Sequence, residues 1–229
     1  MNRHTLSAIS MVVLSGVSCA AFSAGAPAAV SDAYRAATKD GLVSVQSRQL
    51  DEVYLRPGPE WVGYRKVLID PPQVVFRKNW LKDLNASRGP SRWISQSDAE
   101  EVAKVATSSM AKTVADVFVA NGYEIVTAPG AGVLRVTPSV TELDVYEPDV
   151  AFSRPERLFT KDAGTATLGL ELRDSASGAL LGVVVDRGTA SQIREINRTT
   201  QTSNIFWFDA MFRRWATNCV AAIEAGPVR

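Results

Sequence analysis

The sequence predicts an α+β fold, in which a mostly antiparallel sheet of about five strands carries two long helices packed on one face. Several runs alternate apolar and polar residues, as half-buried strands do, and two segments repeat apolar residues at helical spacing. Strands and helices do not alternate along the chain, which argues against a parallel α/β sheet. No internal repeat is visible, so we expect a single domain over residues 51–225.

The first strand is expected from Trp61 to Ile69, and its apolar pattern resumes at 74–76. Between these runs, Pro71 and Pro72 cannot donate hydrogen bonds to a neighbouring strand. This strand is therefore predicted to lie at an edge of the sheet or to be broken by a bulge. Residues 79–96 show no clear period and are expected to be irregular.

Residues 98–121 are predicted to form an amphipathic helix. The sequence Ser97-Asp98-Ala99-Glu100 has the pattern of a capping box, and Asn121-Gly122 supplies a stop. The apolar residues at helical spacing are Val102, Val105, Met110, Val114, Val117 and Phe118. Such a stripe indicates a face buried in the core rather than a cofactor site.

The second half of the chain is rich in strand patterns. A short strand is expected at 123–127 and a longer one at 133–145, whose apolar residues change face near Thr141, which predicts a bulge. Residues 147–163 are expected to form a long loop.

A hairpin and a helix complete the predicted fold. The runs 168–172 and 181–185 alternate in phase around a turn at 175–178, which predicts a β-hairpin. The last helix is expected over roughly 204–224. Its apolar face carries Phe208, Phe212, Trp215 and Ile223.

Residues 1–24 have the order of an export signal: a positive start at Arg3, a short apolar core and then small residues. Two processing routes are open. The sequence Gly16-Val17-Ser18-Cys19 is similar to a lipobox, which would place a lipid on Cys19, whereas ordinary cleavage would follow Ser23 or Ala28. Residues 25–50 are expected to be a tether or an irregular N-terminal segment.

Residue usage limits the chemistry of the exported chain. His4, the only histidine, would be lost with the signal, and with it the commonest general base and zinc ligand. We therefore predict a non-enzymatic protein without a metal site or a cofactor. The formal net charge is +1, which gives no excess of positive charge for nucleic acid, and no apolar run after residue 30 is long enough to span a membrane.

The chain has two cysteines, Cys19 and Cys219. If Cys19 is lipidated or removed, no intramolecular disulfide can form. Cys219 lies on the apolar face of the last predicted helix, so we expect a buried and unreactive thiol.

Several short blocks, in the same order, resemble a bacterial family known as domain of unknown function 3313, over about residues 38–222. The blocks are Asp40-Gly41-Leu42, Tyr54-Leu55-Arg56-Pro57-Gly58, Tyr64 to Pro71, Pro129 to Leu134, and Glu171 to Gly178. Members look like envelope lipoproteins of Gram-negative bacteria. The resemblance thus implies a periplasmic domain anchored to the outer membrane through Cys19, and it implies no activity.

Two sets of residues are candidate sites. The aromatic and arginine residues Tyr54, Arg56, Trp61 and Tyr64 would suit a contact surface for protein, peptide or glycan, but the rings could equally wedge the first strand onto the helices. The other set consists of carboxylates that could serve a glycan hydrolase or simply face solvent. These are Glu142, Asp144, Glu147, Asp149, Glu171 and Asp174.

Three functional classes follow. The leading hypothesis is an exported envelope protein that binds a protein or an envelope component, with an edge strand near residues 62–77 as the acceptor of a partner strand. The second is a small-ligand or lipid-binding module, with its pocket between the sheet and the C-terminal helix. The third is a carboxylate-based glycan hydrolase.

Overall fold

A computed structural model of the chain describes residues 41–58, 61, 63–146, 148, 162–191 and 204–226. The predicted signal, Cys19 and nearly all of the predicted loop 147–163 lie outside the described residues. The strands are β1 Val43–Ser44, β2 Glu52–Leu55, β3 Lys66–Ile69, β4 Gln73–Phe76, β5 Glu124–Ile125, β6 Val133–Val145, β7 Asp162–Asp174 and β8 Leu180–Ser191. The α-helices are α1 Trp80–Ala86, α2 Gln96–Ala120 and α3 Asn204–Ala225.

The described strands form one mixed sheet in the order β1-β2-β8-β7-β6-β3-β5, and β4 also pairs with β6. The pairs from β1 to β6 are antiparallel, whereas β3 and β4 run parallel to β6, and β3 runs parallel to β5. The α+β class is confirmed, but the expectation of a mostly antiparallel sheet of about five strands is corrected to a mixed sheet of eight. The chain passes through α1 and α2 between β4 and β6, and a crossover of this kind is what permits parallel pairing.

The predicted break in the first strand is confirmed. β3 and β4 both pair with β6, and the prolines at 71 and 72 separate them. The Asp70 carboxylate at the break accepts hydrogen bonds from Arg135 Nε at 2.8 Å and Thr137 Oγ1 at 2.6 Å. β6 therefore holds both halves of the strand and the joint between them.

Residues 79–96 are not irregular as expected, because they contain α1 and a 3₁₀ turn at Pro90–Arg92. Trp80 anchors α1: its side chain is buried, its Nε1 donates to the Val145 carbonyl at 3.0 Å, and its ring stacks on Phe76 at 4.1 Å. Asn79 precedes α1 with a φ of 61° and supplies no side-chain cap. Tertiary packing of one tryptophan, rather than a capping signal, thus fixes this short helix.

The capping box of α2 is displaced from the predicted position. Ser95, not Ser97, is the N-cap: its Oγ accepts from the Asp98 backbone N–H at 3.1 Å, and the Asp98 carboxylate accepts from the Ser95 N–H at 2.8 Å. The Ser95 hydroxyl also donates to the Asp98 carboxylate at 2.6 Å, and this bond, together with the one from the Ser95 N–H, lowers the pKa of Asp98. Asp98 takes the place that the sequence pattern assigned to Glu100.

The predicted bulge in β6 is confirmed. The register between β6 and β7 shifts between Thr141 and Asp144, and Glu142 adopts a left-handed φ of 51°. After the bulge, Val145 lies opposite Gly164 of β7. A Cβ atom on Gly164 would overlap the Asp144 carbonyl and stand 2.9 Å from the Phe208 ring. The bend therefore brings the two strands closer than a side chain would allow.

The hairpin of β7 and β8 is confirmed, and both strands extend well beyond the predicted runs. Helix α3 contacts β7, β8 and α2, and α2 contacts β3 to β6. The largest fully buried side chains are Trp215, Phe118, Phe212, Leu55, Met110, Leu134, Leu143, Leu168, Leu170, Leu172, Val53 and Val67. β1 and the buried Leu42 show that the sheet begins inside residues 25–50.

Cys219 is fully buried on α3, and burial raises the pKa of its thiol well above the ordinary value. The prediction of a buried thiol is thus confirmed. None of the helices in the described part of the chain is both long and apolar enough to cross a bilayer.

Replacing Ser95 with Ala should lower the free energy of unfolding by about 1 kcal/mol, because the first turn of α2 loses its side-chain cap. The Ser97→Ala variant is the matched control, since Ser97 contacts Ser95 but does not cap the helix, and it should change stability by less than about 0.5 kcal/mol. Urea unfolding followed by circular dichroism measures both. Equal losses in the two variants would contradict this assignment.

Replacing Gly164 with Ala should destabilise the fold by at least about 2 kcal/mol, because the added methyl group meets the Asp144 carbonyl and the Phe208 ring. Gly63→Ala provides the comparison, since nothing lies within 4 Å of a Cβ there. Thermal melts of the two variants should separate clearly. A Gly164→Ala protein as stable as Gly63→Ala would show that the two strands do not approach so closely.

Candidate binding surfaces

Three of the four aromatic and arginine residues singled out in the sequence, Arg56, Trp61 and Tyr64, lie together at one end of the sheet. Arg56 donates from Nε and Nη2 to the Leu180 carbonyl at 2.9 and 2.7 Å, and Trp61 donates from Nε1 to the Arg56 carbonyl at 3.0 Å. Tyr64 is buried, and its hydroxyl donates to Asp174 at 2.8 Å. We call Arg56, Trp61, Tyr64 and Asp174 the clasp, because they tie the β2–β3 segment to the β7–β8 turn.

Tyr54, the fourth candidate, lies apart from the clasp on the sheet face away from the helices. Its ring is buried in a small cluster with Leu42, Leu180, Val183 and Val185. These contacts favour the interpretation that the aromatic rings pack within the fold. That the four residues form a contact surface for a partner stays a prediction.

The clasp is also where the blocks that carry the family resemblance meet. The Ser175 hydroxyl bonds both the N–H and the carbonyl of Gly130 at 3.0 Å, and the Ser175 N–H donates to the Val133 carbonyl at 3.0 Å. The side chain and the backbone N–H of Ser177 donate to Asp174, and together with Tyr64 they lower the pKa of Asp174. Segments distant in sequence thus form one hydrogen-bonded end of the sheet.

Among the candidate carboxylates that the structure describes, Glu142 and Glu171 do not form a facing pair. Glu171 lies opposite Thr137 on β6, and Glu142 is five positions further along that strand, which places it roughly 15 Å away. Glycosidase carboxyls lie about 5–10 Å apart. Asp144 is held by Arg77 Nε at 2.8 Å, and Glu171 is held by Arg173 Nε at 2.5 Å. Glu147 and Asp149 lie outside the described residues.

No group of three or more His, Cys, Asp or Glu side chains that could hold a metal ion is found among the described residues. A ligand pocket was expected between the sheet and α3, and β8 and α3 approach closely at Gly188, where an added Cβ would stand 2.6 Å from the Met211 sulfur. An open groove lies elsewhere, beside β4.

This groove has a volume of about 400 Å³ and lies between the end of β4, α1 and the start of α2. Its lining includes Phe76, Trp80, Leu81, Ala99, Lys82 and Glu100. The stacked rings of Phe76 and Trp80 make the wall on the β4 side. Sequence reasoning missed the groove because α1 was not foreseen, although Trp80, Leu81 and Leu84 have the spacing of a helix that buries one side.

The β4 strand beside the groove is an outer strand of the sheet. Among the described strands it pairs only with β6, so its other edge has no strand partner. Val75 at this edge is 45% exposed. The predicted edge strand near residues 62–77 therefore has an open edge at 73–76, whereas β3 is covered in part by β5.

A pair of hydrogen bonds around the half-buried Asp186 joins the start of β2 to β8. Asp186 faces α3 and accepts a hydrogen bond from the Asp51 N–H at 3.2 Å, while the Asp51 carboxylate accepts from the Arg187 N–H at 2.9 Å. Burial, with the nearby Asp51 charge, raises the pKa of Asp186, and Arg214 opposes this shift. Asp186 is therefore a carboxylate for which folding disfavours the charged form.

Fold and surfaces together define an α+β domain built on a mixed sheet, with a hydrogen-bonded clasp at one end and an open strand edge beside a groove. The family model described as a protein of unknown function, DUF3313, matches residues 30–219. The chain therefore belongs to this family, as its sequence blocks predicted.

Solved structures show more distant likenesses. A variant PelC dodecamer from Paraburkholderia phytofirmans is 14% identical, with a TM-score of 0.37, and covers 72% of this chain and 94% of that chain. A Xanthomonas campestris protein of the DUF330 family is 14% identical with a TM-score of 0.34, covering 72% and 86%. A putative neuraminyllactose-binding hemagglutinin homologue from Helicobacter pylori is 14% identical with a TM-score of 0.27, covering 77% and 84%.

Likenesses of this degree carry no functional argument. No curated protein matches the chain.

Replacing Asp186 with Asn should stabilise the protein relative to wild type progressively as pH rises above about 4. The reason is that the pKa of Asp186 is raised in the folded protein, so the contribution of this group to wild-type stability is fully present below the unfolded-state pKa and is lost as pH rises through the folded-state pKa. The amide oxygen of Asn can still accept from the Asp51 N–H. Urea unfolding between acidic and neutral pH measures the difference.

The Asp174→Asn variant is the control of opposite sign. The pKa of Asp174 is lowered, so the contribution of its carboxylate to stability is fully present above the unfolded-state pKa and is lost as pH falls through the folded-state pKa. Asp174→Asn should therefore be less stable than wild type at neutral pH, and this deficit should shrink as pH falls below about 4, whereas the difference for Asp186→Asn changes above about pH 4. Parallel pH profiles for the two variants would contradict the assignment of these shifts.

Proposed function

We propose that the chain is a non-enzymatic binding domain of the bacterial envelope, exported by the signal in residues 1–24 and anchored on the periplasmic side of the outer membrane by a lipid on Cys19. In this proposal an extended segment of another envelope protein joins the sheet as an additional strand at β4. The observation that carries the proposal is the edge of Gln73–Phe76, which has no strand partner in the described sheet.

The open edge suits strand addition for a physical reason. Main-chain N–H and C=O groups at an unpaired edge can bond an extended peptide as readily as a neighbouring strand. The exposed Val75 side chain offers apolar contact along the same edge. The groove next to it, walled by Phe76 and Trp80, can receive a side chain of the incoming segment and so give the contact specificity.

The non-enzymatic part of the proposal is supported by the state of the carboxylates. Asp144 and Glu171 are paired with arginines, and Asp174 is a turn residue with several donors. The distance between Glu171 and Glu142 exceeds the separation of the carboxyl groups in a glycosidase.

A photo-crosslinking amino acid at Gln73 tests the edge directly in cells. We expect it to capture a defined envelope protein, and we expect the additional substitution Val75→Lys to abolish that crosslink, because a charged side chain at a strand edge opposes pairing with another strand. Val75 is half exposed, so this change should leave the melting temperature close to that of wild type. The readout is the mass-spectrometric identity and yield of the crosslinked species.

The matched control places the crosslinker at Val119, which is 55% exposed at the end of α2. The same species captured from both positions, or a Gln73 crosslink that survives Val75→Lys in the folded protein, would reject the edge as the binding surface.

The alternative function is that of a small-ligand or lipid-binding module, and the groove of about 400 Å³ is the observation that favours it. A retained ligand mass in native spectra of the same preparations, together with no crosslink at Gln73, would decide for the alternative.

A further inference from the structure

We infer that the loop carrying Trp93, with the cationic residues of the segment before it, is a docking surface for an anionic lipid bilayer. Residues 77–92 hold five basic residues and one acidic residue, a net charge of +4 in a chain whose formal net charge is +1. The positive charge of the protein is thus concentrated on α1, the 3₁₀ turn and their flanks. This inference is independent of the partner strand proposed at β4.

The cations of this segment differ in how they are paired. Arg77 is held between Asp83 and Asp144, at 2.9 and 2.8 Å. Lys78, Lys82 and Arg92 are exposed and make no ion pair with any described residue. These three side chains are therefore available to a negatively charged surface.

Trp93 follows Arg92 directly in the sequence and is the most exposed large apolar side chain in the described part of the protein, at 60%. Its Nε1 donates to the Arg88 carbonyl at 3.2 Å, so the polar atom of the indole is already bonded within the loop. What the ring offers to the outside is its apolar surface. Tyr146, 39% exposed, lies close by, because Arg88 Nη2 donates to its carbonyl at 3.4 Å.

The loop is a protrusion on a fixed base. Residues 89–93 are all exposed, whereas Ile94 is buried. The Asn85 side chain bonds both the N–H and the carbonyl of Ile94 at 2.8 Å, which fastens the end of the loop to α1. An exposed loop that is fastened at its end and carries Trp93 and the cation Arg92 can enter the headgroup layer of a membrane.

The chemistry of this surface favours lipid over a shaped protein partner. Tryptophan and tyrosine partition into the membrane interface, where an amphipathic ring is stable. Lysine and arginine side chains on flexible stems follow a diffuse negative surface and need no fixed complement. An acidic protein would be the occupant if binding to anionic vesicles is absent, and the experiment distinguishes the two.

Co-sedimentation with vesicles of equal parts phosphatidylglycerol and phosphatidylcholine tests the inference. The full chain carries Cys19→Ser in every preparation, so that no attached lipid contributes. We expect binding at low salt, little binding at high salt and little binding to pure phosphatidylcholine. The Lys78→Glu, Lys82→Glu, Arg92→Glu triple variant should bind roughly 100-fold more weakly. Trp93→Ala should bind roughly tenfold more weakly.

The control is a triple variant with the same change in net charge elsewhere: Arg48→Glu, Arg65→Glu and Arg187→Glu, all at exposed positions. It should lose far less affinity than the first triple variant. Equal losses in the two triple variants, no loss in Trp93→Ala, or no binding of the parent protein to the anionic vesicles would each overturn the inference.

Two further preparations keep the test decisive. If the charge-reversal variant unfolds, the variant with Gln at positions 78, 82 and 92 removes the same cations with less strain, and it should still bind at least about tenfold more weakly. The Val75→Lys protein should bind vesicles as the parent does, so a failure of the β4 proposal leaves this result unchanged.

Discussion

The pairing of β6 with strands on both of its sides is the constraint on which the rest of the structure depends. Its thirteen residues bond β7 along one edge and both β3 and β4 along the other. The bulge at Glu142 interrupts the register with β7, and beyond it the end of the strand approaches β7 closely and contacts α1. The Val145 carbonyl at this end accepts from buried Trp80, and Asp144 holds Arg77.

That arrangement makes the β4 edge, the groove and the Trp93 loop parts of one rigid unit. Phe76 ends β4 and stacks on Trp80, and α1 then leads through Asn85 to the loop. Each of these connections is a packed ring or a pair of hydrogen bonds. The β4 edge, the groove and the Trp93 loop are therefore already shaped before a partner binds. Preorganised surfaces of this kind bind with a smaller loss of conformational entropy.

Sequence patterns predicted the elements whose structure depends mainly on residues close together in the chain. The alternation in β7 and β8 and the change of phase near Thr141 were sufficient for the hairpin and the bulge. Strand direction was beyond reach, because an alternating pattern is the same in a parallel or an antiparallel pair. Helix α1 was missed because Trp80 is held by Phe76 and Val145, and the carbonyl of Val145 lies 65 positions away along the chain. The groove and the Trp93 loop depend on that helix.

The β2–β8 pair also determines when the protein can fold. Val53 pairs with Val184, and the bond from Asp51 to Asp186 spans 135 positions. Strand β2 therefore cannot pair with β8 until the chain has been made as far as β8. Helix α3 follows β8 and joins the core after it. Contacts so distant in sequence slow folding and leave apolar strands exposed meanwhile. A nascent chain of this protein would thus keep β1 and β2 without their neighbour β8 until most of the sheet has been synthesised.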